Sequence, residues 1–421
     1  MKVFIIGGGP AGMLCSIISA QNGADVTLIE KNEKLGKKLY ITGKGRCNLT
    51  NCNGFDDYMN NIISNNKFLY TALKTYDSTS CMYFFENNGL PLKIERGNRV
   101  FPQTDKSSDV IRTLTRKIEH LGVTVLLNEK VTDIIVNSNV ITNVVTTKGT
   151  YEVDKVVIAT GGLSYPLTGS TGDGYKFAQK VGHTIVPTVP ALVGIILDFG
   201  ISINKNKIQY NSLGKLQGIS LKNVKAKIID KSNGRIIFEE FGEMLFTADG
   251  VSGPIMLTIS SKINRLSLNN LFLSIDLKPT LDENVLEKRI IKDFNENLNK
   301  QIKNVLNLLV PSGLINTILK LAEINPEKQI NSINKIERKN LITVLKNLNF
   351  NIKSLQNVST AIVTAGGISV KEINPKTMQS KLINNLYFAG EIIDVDALTG
   401  GYNLQIAFST GYCAGKYINE Q

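Results

Sequence analysis

Three glycines close to the start of the chain, together with one acidic residue, have the spacing of a dinucleotide-binding turn. The glycines at positions 7, 9 and 12 fit the pattern GxGxxG, and the acid follows eighteen residues after the last of them. Glycines let the backbone approach a pyrophosphate, and the helix that follows directs unpaired N–H groups and a partial positive charge at it. A carboxylate at the end of the next strand can accept a hydrogen bond from a ribose hydroxyl. The pattern therefore predicts that the ADP part of a dinucleotide is bound by Gly7, Gly9, Pro10, Ala11, Gly12 and Glu30.

Glycine turns near the C-terminus favour FAD over NAD as that dinucleotide. Residues 385–391 read as a short strand that ends in glycine and glutamate, residues 399–405 open the last helix, and residues 159–162 add a third strand-to-glycine turn. A flavin needs a backbone turn near its ribityl chain and a helix N-terminus at the N1/C2 edge of its ring. For Asp394, a loop-capping role is the alternative. We therefore expect non-covalent FAD, with contacts from Ala159, Thr160, Gly161, Gly390, Glu391, Asp394, Gly401, Tyr402, Asn403 and Leu404.

The sequence does not indicate catalysis by side chains alone. It has no Ser/His/Asp constellation, paired carboxylates or Walker motif, which is expected if a flavin carries the electrons. The five cysteines form no CxxC pair and there are only two histidines, so no metal site is expected. Tyr402 and Cys47 are the candidate catalytic residues, and a structural or cofactor-adjacent thiol is the favoured interpretation of Cys47.

The elements that must position these residues form an interrupted α/β pattern. Strand Lys2–Ile6, a helix over 10–22 and strand Asp25–Ile29 make a βαβ unit, and further strands are predicted over 123–127, 131–147 (a hairpin) and 155–159. Residues 192–259 alternate like β-strands, and apolar residues recur at helical spacing from Val285 to Leu309. Short strands and glycine turns return after residue 357. We predict one α/β domain built from residues 1–190 and 357–421, interrupted by a β-rich insert (191–278) and a helical module (279–356).

Three longer motifs resemble a known family. LGKKLYITGKGRCNLTN (35–51), TAGGISVKEINPKTMQSK (364–381) and AGEIIDVDALTGGYNLQIAFSTGYCAG (389–415) resemble the BaiN/YhiN-like bacterial flavoproteins. This family includes aminoacetone-oxidase-like members and lies within the two-dinucleotide-binding-domain flavoproteins. The resemblance runs essentially end to end. It implies a Rossmann-like FAD-binding domain, a β-barrel-like insert and a helical cap, and some members are credited with reducing a conjugated double bond in oxo-bile acids.

A basic, glycine-punctuated loop follows the second strand. Residues 31–50 contain six basic residues and one acidic residue, so the loop supplies +5 of the net charge of +12. A solvated run of charge is the alternative interpretation. Arg46 is the strongest single candidate, because a planar guanidinium can pair with phosphate or flavin oxygens. The resemblance implies that this loop lies along the FAD, and the further expected contacts are Lys31, Lys38, Thr42, Gly43, Arg46, Cys47, Asn48 and Val131.

Composition limits the class of protein and its partners. A chain of 421 residues, 42% of them hydrophobic, fits two or three domains and excludes a disulfide-stapled miniprotein or a disordered chain. No run approaches the ~20 apolar residues of a membrane span, and the first apolar run reads as a strand rather than a signal peptide. We expect a cytoplasmic protein with a small-molecule substrate. A nucleic acid is not the expected partner, and the oligomeric state is open.

The sequence thus predicts an FAD-dependent oxidoreductase that transfers hydride from flavin N5 to an activated double bond of a small organic substrate. The enzyme is expected to be NAD(P)H-linked. Because no second GxGxxG lies within a βαβ unit, NAD(P)H would act as a transient electron donor. Three alternatives remain open: a flavin-dependent amine oxidase, an FAD-containing RNA-modifying protein, and a non-catalytic redox sensor.

Overall fold

Strands and helices alternate from the start of the chain. The computed structural model describes residues 1–198, 200–203, 206–209 and 216–419. Up to residue 191 the strands are β1 Lys2–Ile6, β2 Asp25–Ile29, β3 Thr50–Asn51, β4 Ile62–Ser64, β5 Leu92–Glu95, β6 Arg99–Pro102, β7 Thr124–Leu126, β8 Val131–Asn137, β9 Val140–Thr146, β10 Thr150–Glu152, β11 Lys155–Ile158 and β12 Ile185–Ala191. The helices are α1 Pro10–Gln21, α2 Lys37–Ile41, α3 Phe55–Asn60, α4 Asn66–Thr75, α5 Ser78–Asn87, α6 Ser107–His120 and α7 Asp173–Lys180.

The middle of the chain changes from strands to helices, and the last part returns to the first pattern. Its strands are β13 Ile195–Leu197, β14 Gly200–Ile203, β15 Asn206–Gln209, β16 Ser220–Asp230, β17 Ile236–Phe246, β18 Gly250–Ser252, β19 Leu271–Asp276 and β20 Leu348–Leu355. Its helices are α8 Pro254–Ile263, α9 Glu283–Asn295, α10 Ile302–Val305, α11 Ser312–Leu321 and α12 Lys335–Lys346. The last part contains β21 Val363–Ile368, β22 Leu386–Phe388, β23 Asp396–Ala397 and α13 Tyr402–Tyr417.

Two compact units result, Met1–Ala191 with Val358–Gln421, and Leu192–Asn357. The first unit is built on a five-stranded parallel sheet in the order β22-β11-β1-β2-β7. Its central strand β1 is apolar and buried on both faces, as is usual for parallel strands covered by helices. Because the strands are parallel, their carboxyl ends meet at one edge. The turns that begin at Gly7, Glu30, Ala159 and Ala389 therefore all lie at that edge.

Helices α1 and α13 pack closely against each other beside this sheet. A Cβ on Gly411 would lie 2.4 Å from the carbonyl oxygen of Ala11, and one on Gly415 would lie 2.7 Å from that of Cys15. Only glycine allows the two backbones to come this close. The packing ties the C-terminal helix to the first βαβ unit, so the two ends of the chain form one α/β domain.

The second unit contains a closed barrel of six strands, β13-β18-β17-β16-β19-β20. The fold class is therefore confirmed: a Rossmann-like α/β domain interrupted by a barrel and by helices. The barrel and helices α9 to α12 share one hydrophobic core, in which Phe246 and Phe350 are 1% exposed. The division into separate barrel and helical domains stays a prediction.

The helical region is divided more finely than the apolar spacing indicates. The run from Val285 to Leu309 is interrupted after α9, and α10 begins only at Ile302. The side chain of Asn297 donates to the carbonyl oxygen of Asp293 at 2.7 Å, which satisfies the end of α9. Of the helices in the described ranges, none combines the length and apolar character needed to cross a bilayer.

Candidate functional site

The turn after β1 forms a cradle for a pyrophosphate. Gly7 has a φ of +110°, and a Cβ there would lie 2.5 Å from the carbonyl oxygen of Ala159. A Cβ on Gly12 would lie 2.0 Å from the carbonyl oxygen of Gly7, so α1 packs directly on the turn. Gly9 differs, because no atom of the described residues lies within 4 Å of the position its Cβ would take. Gly9 is also the N-cap of α1, which begins with Pro10 and Ala11 and has no side-chain cap. The turn fits the phosphates of a dinucleotide.

Glu30 closes the same turn from the end of β2. Its Oε2 accepts a hydrogen bond from the Gly8 N–H at 2.8 Å, and its Oε1 accepts from the backbone and side-chain N–H groups of Asn32 at 2.9 and 2.6 Å. The carboxylate is buried. A carboxylate can accept about four hydrogen bonds, so these three leave room for one from a ribose hydroxyl.

Lys31 is bound to the start of α7. Its Nζ donates to Asp173 Oδ2 at 2.8 Å and to Thr171 Oγ1 at 2.5 Å, and Lys130 Nζ approaches Asp173 at 3.6 Å. Val131, next to Lys130, is buried at the start of β8. The charge of Lys31 is therefore compensated within the protein.

Lys38 and Glu391 meet beside the strand-to-glycine turn after β11. Lys38 Nζ donates to Glu391 Oε2 and to Ser164 Oγ, both at 2.6 Å. Glu391 Oε1 accepts from Ser164 Oγ at 3.0 Å and from the Thr364 N–H at 2.8 Å. Lys38, predicted from the loop after β2, and Glu391, from the turn after β22, are thus brought together. This ion pair links three of the turns at the sheet edge.

Some polar groups in the turns after β11 and β22 have hydrogen-bond partners within the protein, and others have none among the described residues. Thr160 Oγ1 is buried and has no hydrogen-bond partner among the described residues. The Gly390 N–H donates to Thr410 Oγ1 at 2.9 Å, and Asp394 accepts from Asn65 Nδ2 at 2.9 Å. Whether Asp394 contacts the ribityl chain or caps its loop stays a prediction. Gly161, between these turns, has a φ of +73°.

The start of α13 is held by its neighbours. Gly401 is the N-cap with a φ of +98°, and a Cβ there would lie 2.4 Å from the carbonyl oxygen of Thr50. The Asn403 side chain donates to the carbonyl oxygen of Ala397 at 2.7 Å and accepts from the Ala397 N–H at 3.0 Å, which fixes the preceding loop. Leu404 is half-buried in the first turn. Since no side chain caps α13, its first N–H groups can face a ligand.

The basic loop has an unusual backbone. Gly43, Lys44, Gly45 and Cys47 all have left-handed φ angles, of 57°, 58°, 85° and 59°. Such conformations cost about 1 kcal/mol or more at non-glycine residues and cluster at binding sites. Thr42 Oγ1 donates to the Leu39 carbonyl oxygen at 2.7 Å just before this bend.

The Arg46 guanidinium forms ion pairs with the carboxylates of Glu95 and Asp105. It donates to Asp105 at 2.6 Å and to Glu95, and lies 4.2 Å from the centre of the Phe101 ring. These hydrogen bonds raise the pKa of Arg46 and lower the pKa of Glu95. The pKa of Asp105 is lowered first by the hydrogen bond from Lys93 and then by that from Arg46. The expected pairing of Arg46 with phosphate or flavin oxygens stays a prediction, and two acidic partners now compete for it.

Cys47 is fully buried beneath this loop. Burial raises the pKa of its thiol to about 12, so the thiol keeps its proton and is a poor nucleophile. This environment supports the structural interpretation of Cys47. The described cysteines are all free, and no group of three or more His, Cys, Asp or Glu side chains in the described ranges could hold a metal ion.

A cavity of about 460 Å³ opens between the basic loop, the β5–β6 hairpin and the start of α13. Phe101 and Tyr402 line it, and Asn48 Oδ1 is buried without a hydrogen-bond partner among the described residues. The other principal lining groups are the cations of Lys44, Arg46 and Arg99 and the amides of Asn51 and Asn61. The cavity is therefore polar and cationic, with two aromatic walls.

Sequence reasoning missed the β5–β6 hairpin and the asparagines that complete this cavity. Asn51 Nδ2 donates to the carbonyl oxygens of Gly97 and Gly400, both at 3.0 Å, and so joins the hairpin turn to the turn before α13. The available signal is the sequence Glu-Arg-Gly-Asn at 95–98, which is typical of a tight turn. That signal predicts a hairpin but not where the hairpin packs.

Comparisons with known proteins match the whole chain. Residues 1–417 match the family model described as HI0933-like protein Rossmann domain. A 3-dehydro-bile acid delta(4,6)-reductase of Clostridium scindens is 29% identical, with 100% of this chain and 99% of that protein covered. A ribosomal RNA dihydrouridine synthase of Escherichia coli is 31% identical, with 98% and 97% covered, and one of Haemophilus influenzae is 29% identical, with 99% and 98% covered.

Solved structures show the same fold at lower identity. The 3-ketosteroid delta1-dehydrogenase of Sterolibacterium denitrificans has a TM-score of 0.51 at 12% identity, with 99% of this chain and 98% of that chain covered. The family match confirms the resemblance drawn from the three long motifs. The chain belongs to the HI0933-like Rossmann-domain family.

Proposed function

We propose that this FAD-dependent oxidoreductase saturates a carbon–carbon double bond conjugated to a carbonyl group, and that its substrate is a uracil base of an RNA. The observation that carries the proposal is the polar, cationic cavity of about 460 Å³ between the basic loop, the β5–β6 hairpin and α13. The sequence predicts a small organic substrate with an activated double bond. The proposed reaction is the same, but the double bond belongs to a base of an RNA instead of a small molecule.

The names of the relatives support this bond chemistry. One name describes reduction of the 4 and 6 double bonds of a bile acid with a 3-oxo group, and the other describes conversion of uridine to dihydrouridine. In both reactions a C=C bond conjugated to a carbonyl gains two hydrogen atoms. A hydride adds to the carbon remote from the carbonyl and a proton adds to the adjacent carbon, so hydrogen-bond donors at the carbonyl oxygen favour the reaction.

The cavity favours a nucleobase over a steroid. A steroid is bound mainly by apolar walls, whereas this cavity has two exposed cations, the carboxylate-paired Arg46 and three amides beside two aromatic rings. Uracil has two carbonyl acceptors and one imide N–H, and the amides and cations of the lining offer hydrogen-bond partners for them. Lys44 and Arg99 are exposed at the rim and suit the phosphates on either side of a base.

The first unit supplies the cofactor site. The cradle at Gly7, Gly9 and Gly12, with Glu30, holds the ADP part, and the start of α13 with the Lys38–Glu391 pair faces the flavin part. When bound, FAD supplies a ring that stores two electrons and releases them as hydride. NAD(P)H is the electron donor in this proposal and binds transiently.

A second candidate is a small enone substrate of the oxo-steroid type. It is supported by the full-length similarity to the bile acid reductase. An amine oxidase or a non-catalytic redox sensor has no comparable support in the cavity, and both remain outcomes of the test.

The test uses the FAD-loaded protein under anaerobic conditions with NADH or NADPH. It is offered an unmodified ribosomal RNA transcript or a 3-oxo-4-ene steroid, and mass spectrometry follows the gain of two hydrogens. We expect dihydrouridine in the RNA. Reduction of the steroid alone would select the second candidate, and bleaching of the flavin with neither product would contradict the proposed reaction.

A further inference from the structure

The residues around the cavity differ in whether they can deliver a proton. Arg46 and Arg99 keep their charge, and the three amides are not acids. Lys44 is exposed to solvent. Tyr402, the first residue of α13, is only 4% exposed although it lines the cavity. Tyr402 is therefore the one phenol among the described residues of the cavity lining, and most of its side chain is buried.

A chain of asparagines sets the direction of the hydrogen bond at this phenol. Asn53 Nδ2 donates to Tyr402 Oη at 2.9 Å. Asn53 is itself held, because its Oδ1 accepts from Asn98 Nδ2 and its backbone N–H donates to Asn51 Oδ1 at 3.0 Å. Since Asn53 acts as the donor, Tyr402 does not use its own proton in this bond and can present it to another acceptor.

The ring of Tyr402 is also fixed in orientation. Tyr58 packs against it edge-on, with 4.7 Å between the ring centres. A Cβ on Gly400 would lie 2.9 Å from the Tyr402 ring, so the glycine turn before α13 packs closely against it. Fixed geometry of this kind is what a proton donor needs.

We propose that Tyr402 Oη delivers the proton that completes the double-bond reduction, and that Asn53 and Asn98 are its positioning residues. The inference rests on the proposed function. The π bond of the substrate breaks, the carbon remote from the carbonyl takes a hydride from the two-electron donor, and the adjacent carbon takes the proton of Tyr402 Oη. The phenolate that remains regains a proton from water. The hydrogen bond from Asn53 stabilises that phenolate.

The charges near the phenol agree with this role. Burial raises the pKa of Tyr402, the hydrogen bond from Asn53 lowers it, and the charge of Asp57 on α3 raises it. The cations of Lys44 and Arg99 line the same cavity, the charge of Arg46 there is offset by Glu95 and Asp105, and Tyr58 is a neutral phenol beside Tyr402. Tyr402 therefore holds its proton at neutral pH and has a partner ready for the anion.

One test needs neither cofactor nor turnover. Protein labelled at the tyrosine ζ carbons is titrated by NMR, and Tyr402→Phe identifies the Tyr402 resonance. Asn53→Leu should lower the acid dissociation constant of Tyr402 about tenfold, the worth of one hydrogen bond to the anion. Tyr83→Phe is the control, since Tyr83 is 68% exposed on α5. An unchanged Tyr402 titration in Asn53→Leu would overturn the positioning role.

The second test separates the two halves of the reaction. Tyr402→Phe should slow reduction of the RNA transcript or the 3-oxo-4-ene steroid by about 10²- to 10⁴-fold, as expected for loss of a general acid, while NAD(P)H bleaches the flavin at the wild-type rate. Asn98→Ala should give a smaller loss in the same step. Wild-type rates in Tyr402→Phe would overturn the role of Tyr402. Wild-type protein that reduces neither probe would instead contradict the proposed function.

Discussion

Gly9 lies at the N-terminus of α1 with open space where a side chain would project. Its φ of −79° suits any residue, and no neighbouring atom of the described residues would clash with a Cβ there. Neither the backbone conformation nor the packing of the protein therefore requires glycine at this position. At Gly12 the packing does require glycine, because a Cβ there would meet the Gly7 carbonyl oxygen at 2.0 Å. At the scale of single residues, Gly9 thus tests cofactor binding and Gly12 tests the fold.

Gly9→Ala should weaken FAD binding about tenfold or more, because the methyl group enters the space that a pyrophosphate approaches. Gly54→Ala is a matched control, since Gly54 is also an N-cap with negative φ and open space at its Cβ. Both changes cost the same type of helix cap, so their melting temperatures should be similar. Flavin fluorescence titration measures the two affinities, and equal affinities would place the pyrophosphate elsewhere.

His183 provides a second prediction at this scale. It is buried between Glu372 and Ser380, with Nε2 2.8 Å from Ser380 Oγ, and burial lowers its pKa from the ordinary 6.5. Below pH 6.5 the unfolded chain therefore binds more protons than the native protein, and the free energy of unfolding falls as the pH drops. The pKa of Glu372 is lowered from 4.5, so its own contribution is lost only at more acid pH.

Between about pH 7 and pH 5, His183→Gln should remove part of this loss of stability. Urea unfolding measures the free energy of unfolding of the wild type and the variant at both pH values. The effect is the change between the two pH values in the wild type minus the same change in the variant. A pH dependence identical to that of the wild type would show that the pKa of His183 does not change on unfolding.

Site residues could be predicted from the sequence where binding a dinucleotide requires a particular residue type at a fixed number of residues from the end of a strand. The glycines of the first turn and Glu30 are of this kind. The partners of Arg46 could not be predicted, because Glu95 and Asp105 lie 49 and 59 residues further along the chain and only the fold brings them close. The same holds for Glu391, which is 353 residues from Lys38.

At the scale of elements, buried pairs tie helices to sheets. In the second unit Lys346, at the end of α12, lies 2.7 Å from Asp276 at the end of β19, with side-chain exposures of 13% and 6%. Lys346 Nζ also donates to the carbonyl oxygens of Lys278 and Leu281. The pair therefore fixes α12 to the barrel strand.

Lys346→Met should lower the free energy of unfolding by about 3–5 kcal/mol, since it leaves the buried Asp276 carboxylate without its cation. Adding Asp276→Asn should restore part of the loss, because the uncompensated charge is then removed. Denaturant unfolding of the two variants checks this. A single variant as stable as the wild type would mean that solvent reaches Asp276.

The elements of the first βαβ unit follow the sequence closely, since β1, α1 and β2 begin where short apolar runs and Pro10 indicate. The helical region follows it less well. Apolar spacing continues across residues 296–301, although the chain turns there, because spacing records which residues face the core and not whether the backbone stays helical. The hairpin β5–β6 was missed because its strands are only four residues long and contain charged residues.

At the scale of the whole molecule, the charge of +12 admits two explanations. Part of the basic loop is paired internally, through Lys31 with Asp173 and Lys38 with Glu391. Lys44 and Arg99 remain exposed at the cavity rim. The overall charge by itself does not identify a nucleic acid partner, but cations at the rim of a polar cavity support one.

RNA binding should therefore depend steeply on salt, and Arg99→Ala should reduce the slope of log K against log salt by about one. Arg112→Ala is the control, because Arg112 is paired with Asp109 on α6, away from the cavity lining. Filter binding of a single-stranded RNA at several salt concentrations measures both slopes. Equal slopes in the two variants would remove Arg99 from the RNA contact.

The central claim is that reduced flavin in this protein passes its electrons to a conjugated C=C bond. The most direct measurement is anaerobic mixing of photoreduced, FAD-loaded protein with the unmodified ribosomal RNA transcript, followed by flavin absorbance and by mass analysis of the RNA. The account predicts that the flavin is re-oxidised in step with the gain of two hydrogens per modified uracil. Flavin that stays reduced until oxygen is admitted, with RNA and steroid both unchanged, would contradict it.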